Sequence, residues 1–133
     1  MLCNSMDFLA IEHDVENERP VPSEWRETLR QIATAFNSPS PSSVLQSIEN
    51  VSFEESIIKI SLDQIKDYPA SKVFVGPKTW DRSIYIWEEA YWSLLVDLHV
   101  DNDDDDVSDL VLPVRVSVKK DAFHFQPNFI HVP

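Results

Sequence analysis

Apolar residues recur with a helical period in the first half of this chain and with a strand period in the second. Trp25, Leu29, Ile32, Ala33 and Phe36 are spaced to share one helix face, which predicts a helix starting near Ser23. Asn37-Ser38-Pro39 stops it. Ser40-Pro41 then offers an N-cap followed by proline at the first helical position, opening a short helix through Val44, Leu45 and Ile48. Ser52-Phe53-Glu54-Glu55 has the spacing of a capping box and predicts a third helix carrying Phe53, Ile57, Ile58, Leu62 and Ile65. Within that stretch, Ile58-Lys59-Ile60-Ser61-Leu62 also alternates as a strand would, so both readings stand.

Beyond Asp67 the pattern changes. Asp67-Tyr68-Pro69-Ala70-Ser71 reads as a turn and Lys72 to Val75 as a short strand, while Gly76, the only glycine, precedes Pro77 and marks a break. Ser83 to Trp87 predicts a strand or an extended entry into a sheet. Trp92, Leu94, Val96, Leu98 and Val100 alternate with Ser93, Leu95, Asp97 and His99. Leu110, Leu112, Val114, Val116 and Val118 line one face of a partner strand, with Arg115 and Ser117 on the other. Lys119-Lys120-Asp121 turns into a last strand carrying Phe123 and Phe125, which Phe129 to Val132 continue past Pro127. The predicted fold class is α+β: N-terminal helices packed on a C-terminal antiparallel β-meander. Trp25, Leu29, Ile32 and Phe36 should meet the sheet face that carries Leu94, Val96, Leu112 and Val114. Residues 1–22 read as a polar lead-in of the kind that is mobile or loosely attached at chain ends, and residues 23–133 as a single domain.

Composition agrees with one folded domain. A chain of 133 residues with 43% hydrophobic and 11% aromatic residues can bury a core. No apolar run approaches the ~20 residues of a membrane span, and Met1-Leu2-Cys3-Asn4-Ser5 lacks the start of a signal peptide, so a cytoplasmic protein away from membranes is expected. Cys3 stands alone, which excludes an internal disulfide and a cysteine zinc site.

Charge changes the picture more. Twenty-three acidic residues against eleven Lys and Arg give a net charge of -12. Such a surface repels phosphate and argues against nucleic acid as a partner. Two stretches hold most of the excess: residues 1–24, with six acids against Arg19, and residues 97–109, with seven aspartates and no Lys or Arg. Acidity of this kind keeps a small protein soluble. It also suits docking against a basic protein, because complementary fields speed encounter and exclude wrong partners. The residues expected to face such a partner are Asp101, Asp103, Asp104, Asp105, Asp106 and Asp109.

Other chemistries find less support. Asp101, Asp103 and Asp105 alternate as calcium ligands do, but an EF-hand loop needs glycine at its sixth position and glutamate at its twelfth, where this chain has Asp106 and Leu112. His13, His99, His124 and His131 form no helical pair. The pattern lets His99 and His124 face each other across a sheet, but a zinc site would need further ligands that the sequence does not place; surface or sheet-face histidines fit better. Cys3 has no base placed beside it, and no nucleophile elbow or phosphate-binding glycine loop occurs. No metal and no cofactor is therefore expected. Glu88, Glu89 and Asp97 lie near tryptophans, where desolvation could raise a carboxyl pKa, as a hydrolase would use. Trp80, Trp87 and Trp92 serve either as core packing or as an aromatic anchor at an interface.

The order Trp80-x2-Ser83-x3-Trp87, Tyr91-Trp92, Val96-Asp97-Leu98, Ser108-Asp109-Leu110-x-Leu112 and His131-Val132-Pro133 resembles a small bacterial family of unknown function. Its members are short stand-alone proteins, some of them associated with toxin–immunity gene neighbourhoods. The resemblance covers residues 76–133 well and the helix from Trp25 to Phe36 loosely. It implies an α+β fold and brings no catalytic residues. The aspartate run departs from the family pattern, whose loop is shorter and richer in glutamate and glycine. Together these features lead us to expect a non-enzymatic binding protein, an immunity protein that neutralises a cognate toxin domain through an acidic surface. Two rivals remain: a small hydrolase or ligand-binding enzyme with a pocket between helices and sheet, and a phage-type inhibitor that mimics nucleic-acid charge.

Overall fold

A computed structural model describes residues 19–68, 70–101 and 107–133. The first eighteen residues of the lead-in, with Cys3 and His13, lie outside the described residues, as do Pro69 of the predicted turn and residues 102–106 of the aspartate run.

Strand β1 (Arg19–Pro20) precedes helix α1 (Ser23–Ala35), short helix α2 (Pro41–Ser47) and helix α3 (Ser56–Asp67). Strand β2 (Val73–Phe74) and a single helical turn, α4 (Thr79–Arg82), lead into β3 (Ile84–Trp87), β4 (Trp92–Asp97), β5 (His99–Val100), β6 (Val111–Lys119) and β7 (Ala122–Pro127). The main sheet has the order β1-β3-β4-β6-β7, antiparallel throughout, and β2 pairs with β5 in a separate two-stranded sheet. The helices stand N-terminal to most of the sheet, the expected α+β arrangement. Residues 19–22 had been counted with the lead-in; here Arg19 and Pro20 pair with Tyr85 and Ile84, and Val21 is buried.

Burial against α1 decides which sheet face is inner. Tyr85, Trp92, Leu94, Val96, Leu112, Val114, Val116 and Phe125 point inward and meet Trp25, Leu29, Ile32 and Phe36, all of them buried. Trp25, with 0% of its surface exposed, is the hub. Its ring lies 5.6 Å from Tyr85, 5.4 Å from Trp92, 5.4 Å from Phe123 and 6.5 Å from Phe125, centroid to centroid. Edge and tilted contacts of this kind set the rings' positive edges against negative faces.

Three elements differ from the sequence reading, each for a local reason. The third helix starts at Ser56, not Ser52, because the Ser52 backbone N–H is donated to Phe125 O (3.1 Å) and Phe125 N–H to Asn50 O (2.8 Å). Residues 50–52 thus bond to the edge of β7, and the capping box never closes. From Ser56 on, the helical reading of this stretch holds over the strand one. Its buried stripe is Ile57, Ser61 and Ile65, and Leu62 is exposed. Ser61 can sit inside because its hydroxyl accepts the Ile130 N–H at 2.9 Å. Second, the alternating run from Trp92 to Val100 breaks at Leu98. Leu98 O accepts the Ser108 hydroxyl (2.7 Å) and backbone N–H (2.7 Å), and β5 leaves the main sheet for β2. Third, residues 129–132 continue past Pro127 along β6, as expected, but shifted by one residue where the Asn128 N–H is donated to Pro113 O, and as an isolated bridge and not as regular strand. His131 pairs with Val111 of β6 through two backbone hydrogen bonds of 2.9 and 3.1 Å.

The β6–β7 hairpin turns on two residues. Lys119 pairs with Ala122, while Lys120 and Asp121 both adopt positive φ, 52° and 61°. This is the type I′ geometry, which costs residues with a Cβ and suits Asn-Gly. Lys120→Asn with Asp121→Gly should therefore stabilise the domain by about 1 kcal/mol. Urea unfolding checks this: the midpoint should rise with an unchanged slope, and a lower midpoint would exclude that turn type.

Candidate functional site

The aspartate run joins β5 to β6, and the described residues at its two ends are fixed. At the first end, the Asp101 N–H is donated to Lys72 O at 3.3 Å. The Asp101 carboxylate accepts the Ser71 hydroxyl and the Ser71 N–H, the latter at 3.1 Å. The Ser71 hydroxyl and then its backbone N–H hold that carboxyl below its ordinary range, so it is firmly anionic at neutral pH. At the second end, the Ser108 hydroxyl bridges Leu98 O and the Leu110 N–H (3.0 Å), and the Asp109 N–H is donated to the Tyr68 hydroxyl at 3.1 Å. Both Asp101 and Asp109 are exposed. Asp103, Asp104, Asp105 and Asp106 lie outside the described residues, so of the six expected docking residues the structure places two, one near each end of the run.

Charge is partitioned sharply along the chain. All eleven Lys and Arg fall among the described residues, beside fourteen of the acids; the other nine acids lie in residues 1–18 and 103–106. The described residues are close to balanced, and the excess is carried by those two segments.

The histidines are not arranged as the alternation suggested. His99 was expected on a surface or sheet face, but it is fully buried. Its position in β5 pairs with Phe74 of β2, whose ring stacks on it at 5.3 Å and 22°. Nε2 accepts the Lys78 N–H at 3.3 Å, which assigns the ring proton to Nδ1. His124 pairs instead with Ser117 in the main sheet, so the two histidines are not cross-strand neighbours. Among the described residues no three His, Cys, Asp or Glu side chains come together as a metal would need.

The carboxylates considered for hydrolysis also lie apart. Glu88 and Glu89 are exposed in the turn before β4, whereas Asp97 closes that strand at its other end. Burial raises the Asp97 carboxyl pKa, with the Arg82 charge opposing the rise. Trp87 and Trp92 pack on each other at 4.9 Å in the aromatic cluster, and Trp80 carries Arg26 over its ring at 5.1 Å. Core packing describes Trp92 fully; Trp80 and Trp87 are half-buried.

The outer face of the sheet holds a feature that sequence reading left out. Ser93, Arg115 and Gln126 stand in one row across β4, β6 and β7. The Arg115 guanidinium lies 4.5 Å from the centre of the Tyr91 ring. A cavity of about 370 Å³ opens on one side of Arg115 and one of about 140 Å³ on the other. Alternation alone places Ser93 and Arg115 outward; which strands bring Gln126 and Tyr91 beside them is a matter of register, and that is not written locally.

The architecture is that of a small α+β domain with α1 packed on the inner sheet face, an outer face that carries Arg115, and an acidic run whose described flanks are held. The chain belongs to the family described as domain of unknown function DUF7668, whose model matches residues 5–133. No curated protein and no solved structure matches it. Among the described residues no helix is long and apolar enough to cross a membrane.

Proposed function

We propose that this protein is a non-enzymatic binding protein of the immunity type, acting in the cytoplasm, that neutralises a toxin domain by presenting its acidic run to a basic surface. The observation that supports this reading is how the described residues on either side of aspartates 103–106 are held, Asp101 by Ser71 and Ser108 by Leu98 and Leu110. Fixing both ends lowers the conformational entropy that docking would otherwise cost. With the described residues near balance, four of the excess acids belong to the run and five to residues 1–18, and negative charge of this kind favours steering of a basic partner. In support, the space between α1 and the inner sheet face is filled by Trp25, Leu29, Leu94 and Leu112, leaving the helix–sheet interface to packing.

The test is association kinetics with the toxin encoded beside the gene. Neutralising Asp103, Asp104, Asp105 and Asp106 to asparagine together should slow association about tenfold at low salt while the melting temperature stays unchanged. Added salt should slow the wild type more than the variant. Cells poisoned by the toxin should be rescued by the wild type and poorly by the variant. Equal on-rates and full rescue by the variant would reduce the run to a solubilising connection.

A further inference from the structure

Arg115 stands on the outer sheet face with no ion pair and no hydrogen bond to any described residue. An unpaired guanidinium on a sheet face is unremarkable in open water; here its surroundings are organised. Tyr91 stacks on it at 4.5 Å, which fixes the plane of the group and leaves its N–H edges free. Ser93 and Gln126 flank it in register, and Asn128 lines the same cavity of about 370 Å³, which Ile57 and Pro113 close with apolar surface. That volume is within the range of small-ligand clefts, and a few convergent polar groups in an apolar surround are what such clefts carry.

We propose that Arg115 and this cavity form a binding site for a small carboxylate ligand. A planar guanidinium held by its face presents two parallel N–H groups, the geometry that receives a carboxylate in bidentate fashion. The neighbouring hydroxyl and amide groups of Ser93, Gln126 and Asn128 supply neutral donors without adding charge. Glu54 lines the cavity as well. Its negative charge offsets much of the Arg115 field, which leaves a dianion little electrostatic advantage, and the apolar surface of Ile57 and Pro113 then favours a monocarboxylate with an apolar tail over phosphate. A protein of net charge -12 repels anions in general, so capture here depends on the local geometry and not on the global field. This site shares no lining residue with the acidic run and stands whether or not the run docks a toxin.

The test is an NMR titration of the full ¹⁵N-labelled chain with butyrate and, separately, inorganic phosphate, both at constant ionic strength. Butyrate should shift the backbone amides of Ser93, Arg115 and Gln126 saturably. Arg115→Gln should weaken that binding at least about tenfold, the scale of one charge-assisted hydrogen bond, with an unchanged melting temperature because the side chain is exposed. Tyr91→Leu should weaken it severalfold by freeing the guanidinium plane. Glu54→Gln should strengthen phosphate binding more than butyrate binding. Shifts that do not saturate, or that persist in Arg115→Gln, would overturn the site; phosphate binding as tight as butyrate in the wild type would overturn its selectivity. Saturation by a glutamate-bearing peptide but not by butyrate would overturn the small-ligand assignment in favour of a protein-docking face.

Discussion

Replacing Trp25 with alanine should destabilise the protein by about 3–5 kcal/mol, a large share of the roughly 5–15 kcal/mol that holds a domain of this size together. The residue brings α1 into the aromatic cluster and touches four rings there: Tyr85 on β3, Trp92 on β4, and Phe123 and Phe125 on β7. Its removal therefore opens a cavity that borders three strands and α1, and no single neighbour can move to fill it. Among the described residues the buried indole Nε1 has no hydrogen-bond acceptor, so apolar and ring packing hold the side chain. That detail sharpens the test. Trp25→Phe keeps much of the ring contact and forfeits no hydrogen bond, so it should cost less than half as much as the alanine variant. Thermal and urea unfolding of the two variants measure both numbers. Equal losses for Phe and Ala would mean that the indole N–H, and not the ring, is what matters; a loss below 1 kcal/mol for Ala would mean that α1 does not seat on the sheet as described.

Trp25 also marks what was legible in the sequence. The stripe Trp25, Leu29, Ile32, Ala33, Phe36 announces α1 and its buried face, because helix period and burial are the same physical fact. The alternation along β4 and β6 does the same for the inner sheet face, as the burial of Leu94, Val96, Leu112 and Val114 shows. What failed were the places where a distant segment competes for local hydrogen bonds. Ser52 has capping-box spacing, yet its N–H is claimed by Phe125, more than seventy residues along the chain. Leu98 continues an alternating run, yet its carbonyl is taken by Ser108 and the strand changes sheets. β1 has only two residues and no periodicity to read, so its pairing with β3 was invisible. The candidate sites divide the same way. The acidic run is legible as composition, whereas the clamping of its ends by Ser71 and Tyr68 comes from residues 30 and 41 positions away in sequence. The row of Ser93, Arg115 and Gln126 needs two strand registers at once, which no single stretch encodes.

His99 was the largest misreading, and it leads to the second large effect. A polar residue in the outward phase of an alternating strand should face solvent, but β5 has left the main sheet, and the segment around Gly76 covers that side. A Cβ placed on Gly76 would lie 2.5 Å from His99 Cδ2 and 2.8 Å from both Cγ and Nε2. No real contact is that close. Relief by moving the ring is blocked, since His99 is fully buried, stacked on Phe74 and bonded through Nε2 to the Lys78 N–H. Relief by moving the backbone would strain the turn in which the Thr79 hydroxyl accepts the Gly76 N–H at 3.1 Å and the Thr79 N–H is donated to Gly76 O at 3.2 Å. The chain's only glycine is thus kept for space and not for a positive φ. Gly76→Ala should destabilise the protein by about 1–3 kcal/mol, because overpacking outweighs the ~0.4–1 kcal/mol that alanine gains by restricting the unfolded chain. His99→Ala removes the obstacle. The cost of Gly76→Ala should fall to near zero or change sign when it is introduced into the His99→Ala background, a coupling well above the ~0.5 kcal/mol expected of independent sites. Simple additivity of the two substitutions in urea unfolding would show that the glycine and the buried imidazole are not in contact.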